Sequence, residues 1–146
     1  MGTAQDVIAA CEAQWGTYKG DCSGFAKAVG NQLGVTLTGQ ANDIVDQIQQ
    51  APWTTVAGGP AAAQEAANGK FVVAGLKGTA QQLPDPNNGH VVVVVAGDLA
   101  RGLYPTAYWG KLNSVGCKAT TLNWAWAAID RDNVIYGVTD WPAAGE

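Results

Sequence analysis

The chain has 146 residues and a mass of 15.0 kDa, enough for one domain and little more. Apolar residues make up 47% and charged residues only 14%, which provides for a packed core and excludes wholesale disorder. A net charge of -4 argues against nucleic acid or an anionic membrane as main partner, since both select for an excess of Lys and Arg.

Val7, Ile8, Cys11 and Trp15 recur at helical spacing behind Thr3, predicting a helix over Ala4 to Trp15 capped by that threonine. A polar turn from Gly16 to Asp21 leads to a second helix, Cys22 to Leu33. There Phe25, Val29 and Leu33 repeat every fourth residue, and Gly34 is the stop. Ile44, Val45 and Ile48 mark a third helix, ended by Pro52. Pro60 opens an Ala-rich fourth helix through Ala67, which Asn68 and Gly69 terminate.

Beyond Lys70 the pattern changes to strands. Phe71 to Leu76 reads as one, and a loop rich in Pro, Asn and Asp follows from Gln81 to Gly89. His90 to Ala96 is a β-branched run with no polar face, hence a central strand. Tyr104 to Leu112 is expected to be a strand, Leu122 to Ile129 a helix and Val134 to Thr139 a last strand. Helices first and strands afterwards predict an α+β fold, one domain over residues 1–146, with N-terminal helices packed on one side of an antiparallel sheet. The longest apolar run, Val91 to Ala96, is far too short to span a membrane, and no basic, then apolar, signal sequence opens the chain. Asp6 stands where myristoylation at Gly2 would want Ser or Thr.

Chemistry concentrates at Asp21-Cys22-Ser23-Gly24-Phe25, where a loop becomes a helix. A cysteine there faces free backbone N–H groups and the positive end of the helix dipole, which favour thiolate and donate to an oxyanion. Gly24 offers close approach to a substrate backbone, while the Asp21 carboxylate opposes thiolate formation. A cysteine alone is more often a small buried hydrophobe. The chain's single histidine, His90, follows Asn88-Gly89 at the mouth of the central strand. A helix-borne Cys and a strand-borne His are the parts of a nucleophile–base pair.

Asp21-Cys22-Ser23-Gly24-Phe25 followed by Gly89-His90-Val91 resembles the NlpC-type, papain-like cysteine amidases of bacterial cell walls. Further segments are similar, in order, to the type VI secretion amidase effectors of family one: Leu33-Gly34-Val35, the block from Gly69 to Gly78, Tyr104-Pro105, and Trp126 with Asp130-Arg131-Asp132. The resemblance implies a papain-like fold with Cys22 as nucleophile and His90 as base and acid. Asp21, Ser23, Gly24 and Gly89 then surround the oxyanion and substrate. It further implies hydrolysis of the γ-D-glutamyl–meso-diaminopimelate amide of peptidoglycan stems without metal or organic cofactor, by a monomeric toxin. Such a toxin is made in the producer's cytoplasm, injected by a type VI apparatus, active in the recipient's periplasm and blocked by a cognate immunity protein. A cell-wall hydrolase of the same fold that is not a toxin, and a non-catalytic relative that binds wall peptides or a protein, stay open alongside it.

Papain-like enzymes orient their histidine through a third polar group. Asp98 lies too far along the strand, about 26 Å at about 3.3 Å per residue. A backbone carbonyl between Thr106 and Trp109 is the remaining expectation. Three cysteines, Cys11, Cys22 and Cys117, are not a disulfide framework, although Cys11 and Cys117 are open to pairing in an oxidising compartment. A zinc site of three Cys and one His lacks any Cys-x-x-Cys pair. Asn68-Gly69-Lys70-Phe71 is no phosphate-binding loop, because Gln64 and Phe71 replace its required Gly and Ser or Thr. Among the tryptophans, Trp15 and Trp126 are read as core and Trp53, Trp109 and Trp141 as lining a groove. Asp130-Arg131-Asp132 is read as a charge cluster fixing the turn into the last strand.

Overall fold

The computed structural model describes residues 2–81 and 88–142. The chain runs α1 (Ala4–Tyr18), α2 (Cys22–Leu33), α3 (Ala41–Gln47), β1 (Thr54–Val56), α4 (Gly59–Ala67) and β2 (Phe71–Leu76). It continues through β3 (His90–Ala100), β4 (Tyr104–Trp109), β5 (Cys117–Thr121) and β6 (Ile135–Thr139). Short 3-10 turns occupy Gly78–Ala80, Leu122–Trp124 and Arg131–Asn133. Most of the loop expected between Gln81 and Gly89 lies outside the described residues. Among the described residues, no helix is long and apolar enough to cross a membrane.

The start of α1 and the end of α2 follow their sequence signals. Thr3 and Asp6 cap α1 reciprocally, the Thr3 hydroxyl accepting from the Asp6 amide at 3.2 Å and the Asp6 carboxylate from the Thr3 amide at 2.8 Å. Gly34 takes a left-handed φ of 87° and closes α2 by donating to Asn31 and Gly30 carbonyls.

All six strands pair antiparallel in the order β1-β6-β2-β3-β4-β5. The apolar run of β3 is indeed interior, with Val93 opposite Val73 of β2 on one side and Tyr108 of β4 on the other. Alternate residues of this run serve two cores. Val91, Val93 and Val95 join Val7, Phe25, Val29 and Ile44 of α1, α2 and α3, whereas Val92 and Val94 join Ala62 and Ala66 of α4 and Leu122. The fold is therefore α+β as expected, but the helices are divided. α1–α3 cover one face and α4 the other, as a strand apolar on both faces requires.

Three expectations are corrected. α1 runs on through Gly16 to Tyr18, past the start of the turn expected from Gly16 to Asp21. Leu122 to Ile129 is not a helix, but a 3-10 turn followed by irregular chain closed by Asp130 N–H to Ala127 O at 2.9 Å. A helix would turn Trp124 and Trp126 about 200° apart, yet both face one cleft. The Tyr104 strand ends at Trp109, because Gly110 presses against the end of α1, where a Cβ would lie 2.1 Å from the Tyr18 carbonyl. β1 and β5 carried no strand signal. They are the sheet's edges, half-buried at best, so their residues show no apolar alternation.

Candidate active site

α2 starts on a cap that shapes the site. The Asp21 carboxylate accepts the Gly24 N–H at 3.0 Å and lies 3.1 Å from the Ser23 hydroxyl, which also approaches the Gln40 amide oxygen at 3.1 Å. A Cβ on Gly24 would sit 2.4 Å from the Asp21 carboxylate and 2.9 Å from the Tyr18 ring. Its missing side chain thus makes room for the cap. The structure does not place Gly24 on the cleft wall, where close approach to a substrate backbone was expected of it.

Cys22, the first helical residue, is buried, with 8% exposure. Its sulfur is approached by the backbone N–H groups of Val91, Ser23 and Cys22 itself, so the start of β3 meets the start of α2 at this atom. Burial pushes the thiol up from its ordinary value and the Asp21 charge adds to that, while the three amides pull it down.

His90 opens β3 opposite Leu76 of β2 and is half-buried. Gly89 before it is wedged against α3, since a Cβ there would lie 2.4 Å from Asn42 Oδ1 and 3.2 Å from the Leu76 carbonyl. That Asn42 oxygen is itself engaged by the Gly78 N–H at 3.0 Å. Burial, reinforced by the Lys111 charge, lowers the imidazole to about 4. At neutral pH both groups are uncharged, a thiol and an imidazole that line the same cleft.

Asp21, Cys22, Ser23, Gly89 and His90 line one cleft of about 850 Å³. Lys111 and Trp124 are among the lining residues that the sequence reading missed. Trp124 is 74% exposed, and its only signal was a large aromatic in a segment read as amphipathic helix. Trp53, Trp109 and Trp141 are core rather than groove lining. Trp126 is core as expected and Trp15 packs against the core on the other face, but Trp126 also borders the cleft, its ring meeting His90 edge-on at 5.0 Å between centroids.

The carbonyl expected between Thr106 and Trp109 is not found on the His90 ring. Among the described residues no hydrogen bond reaches the His90 ring. β4 pairs with β3 at Val93 and Val94, beyond His90, and the Trp109 carbonyl accepts from Trp15 Nε1 at 3.0 Å. Asp98 is remote, as expected, with its own carbonyl receiving the Thr106 hydroxyl at 2.8 Å near the far end of β3.

All three cysteines are free thiols. Cys11 belongs to the α1–α3 core, while Cys117 packs against the core on the opposite face, so the sheet stands between them. Among the described residues no cluster of His, Cys, Asp or Glu fits a metal ion. In the cluster from Asp130 to Asp132, Asp132 accepts the Tyr104 hydroxyl at 2.6 Å and the Arg131 guanidinium lies over the Tyr104 ring at 5.0 Å, tying the chain before β6 to β4.

No family model matches the chain. It is similar to Peptidoglycan amidase Tse1 of Pseudomonas aeruginosa PAO1, 39% identical over 147 aligned positions that cover 92% of this chain and 89% of that protein. With that identity along nearly the full length of both proteins, and an α+β single domain that opens α2 on the Asp-Cys-Ser-Gly-Phe motif, the chain belongs to the type VI secretion amidase effectors of family one.

Proposed function

We propose that this protein is a peptidoglycan amidase that cleaves the γ-D-glutamyl–meso-diaminopimelate bond of stem peptides through a Cys22–His90 pair. The observation that carries the reading is the meeting of the α2 start with the β3 start. A helix-capped thiol receives the Val91 amide, one residue beyond the chain's only imidazole, at a shared cleft.

The chemistry follows from that placement. His90 takes the thiol proton as the sulfur attacks the scissile carbonyl, and N–H groups at the α2 start receive the oxyanion. The C–N bond breaks as His90 gives its proton to the leaving amine, which departs and leaves a thioester on Cys22. Water then attacks the thioester, His90 again taking the proton, and the glutamyl carboxylate is released with the thiol restored. No step calls for a metal or organic cofactor.

Membership of an effector family supports a biological setting for this chemistry. The protein is made in the producer's cytoplasm, injected through a type VI apparatus and active in the recipient's periplasm. A cognate immunity protein that occupies the cleft protects the producer. Mass spectrometry of defined muropeptides after digestion should find scission at the γ-D-glutamyl–diaminopimelate bond, and scission elsewhere would refute the assignment. Expression directed to a Gram-negative periplasm should lyse cells that tolerate the same protein in the cytoplasm. Equal toxicity in both compartments would count against a wall substrate.

The depressed basicity of His90 sets the pH profile. The working form is neutral imidazole with protonated thiol, so kcat/KM is level across the neutral range down to about pH 5. It falls as pH drops through about 4, where the imidazole becomes charged. A steady-state profile with its acid limb near the ordinary histidine value, about 6.5, would show that burial does not govern this base.

A further inference from the structure

The described walls of the cleft carry three charged side chains, Asp21, Asp43 and Lys111. Asp21 caps α2 and Asp43 lies in the first turn of α3, whereas Lys111 stands on the connection between β4 and β5. That connection is anchored, for the N–H groups of Lys111 and Gly116 both donate to the Lys19 carbonyl, at 3.0 and 2.8 Å. Lys70, Lys77 and Lys118 have carboxylate partners in Asp140, Asp46 and Glu12. Lys111 has none among the described residues.

An ammonium with no carboxylate partner among the described residues works against the chemistry. Its charge disfavours protonation of His90, the event that accompanies attack by the thiol. A neutral residue at this position would spare the imidazolium that repulsion, so the cation is understandable if an anion joins it when substrate binds. The substrate of the proposed reaction, on which this inference rests, supplies one. A γ-linked glutamyl residue keeps its α-carboxylate free, separated from the scissile carbonyl by only three carbon atoms. We propose that Lys111 binds this α-carboxylate, making the cleft selective for γ-glutamyl stems whose α-carboxyl is ionised over stems in which it is a carboxamide. Binding then neutralises Lys111 and restores basicity to His90, so the correct substrate helps to activate the base that cleaves it.

Two synthetic stem peptides that differ only in α-carboxylate or α-carboxamide at the D-glutamyl residue provide the test. Wild-type enzyme should favour the carboxylate in kcat/KM by about tenfold or more, as expected for a charge-assisted contact. Lys111→Met should bring the two substrates to within about twofold, Lys111→Arg should keep the preference, and Lys111→Glu should invert it. Added salt should shrink the wild-type preference and leave the Lys111→Met ratio unmoved. Equal use of both peptides by wild type, or an undiminished preference in Lys111→Met, overturns the assignment. If wild type cuts neither peptide, the amidase reading falls and the inference falls with it.

Discussion

Purified Cys22→Ala should hydrolyse muropeptides at least about ten-thousandfold more slowly than wild type, and His90→Ala should lose a comparable factor. The two substitutions act on one unit, because the sulfur without a base stays protonated and the base without a sulfur has nothing to activate. The double variant should therefore be no slower than either single one. Cys22→Ala removes one buried atom from a helix whose cap is made by Asp21 and Gly24, so circular dichroism and the melting transition should stay close to wild type. Alkylation separates this thiol from the others. Iodoacetamide should block activity through Cys22, which lines the cleft, whereas Cys11 is fully buried on the inner side of α1, with burial pushing its thiol strongly up. Retained hydrolysis in Cys22→Ala, or inactivation with label confined to Cys11 or Cys117, would dismiss Cys22 as the nucleophile.

The parts of this arrangement legible in sequence are those dictated by local chemistry. Thr3 and Gly34 mark helix ends because each satisfies backbone groups within a few residues of itself. The Val91–Val95 run announces a strand covered on both faces, although only the structure shows that α4 provides the second cover. The two residues of the proposed pair were likewise visible, as a cysteine at a helix start and a solitary histidine. The walls around them were not. Trp124, Trp126 and Lys111 reach the cleft through an irregular segment and a strand connection whose courses are set by tertiary contacts, such as the two amides on the Lys19 carbonyl. No spacing rule encodes such contacts, and a helical reading of Leu122 to Ile129 does not bring both indoles to one cleft. Gly24 illustrates the converse. Its presence in the motif was evident, but its reason, clearance for the Asp21 cap, exists only in three dimensions.

Phe25→Ala should produce the largest loss of stability among substitutions close to the site. Phe25 is fully buried, three residues beyond Cys22, and its amide makes an early α2 hydrogen bond, to the Asp21 carbonyl at 2.9 Å. The ring fills the core between α2 and the Val91, Val93 and Val95 side of β3. Truncation leaves a cavity in a close-packed interior and should cost about 3–5 kcal/mol, a large share of the 5–15 kcal/mol typical of a domain. Phe25→Leu, which keeps most of the volume, should cost less than half of that. Urea titration would show the midpoint fall with an unchanged slope, and the melting temperature should drop by about 10 °C. A loss below about 1 kcal/mol would mean that the space collapses and that α2 is not seated by this ring. Activity resolves the remaining link between core and site. If Phe25 fixes α2 against β3, the folded fraction of Phe25→Ala should lose kcat as the Cys22 sulfur drifts from the Val91 amide, with KM less affected. If the ring contributes stability alone, kcat per folded molecule should equal that of wild type at low temperature.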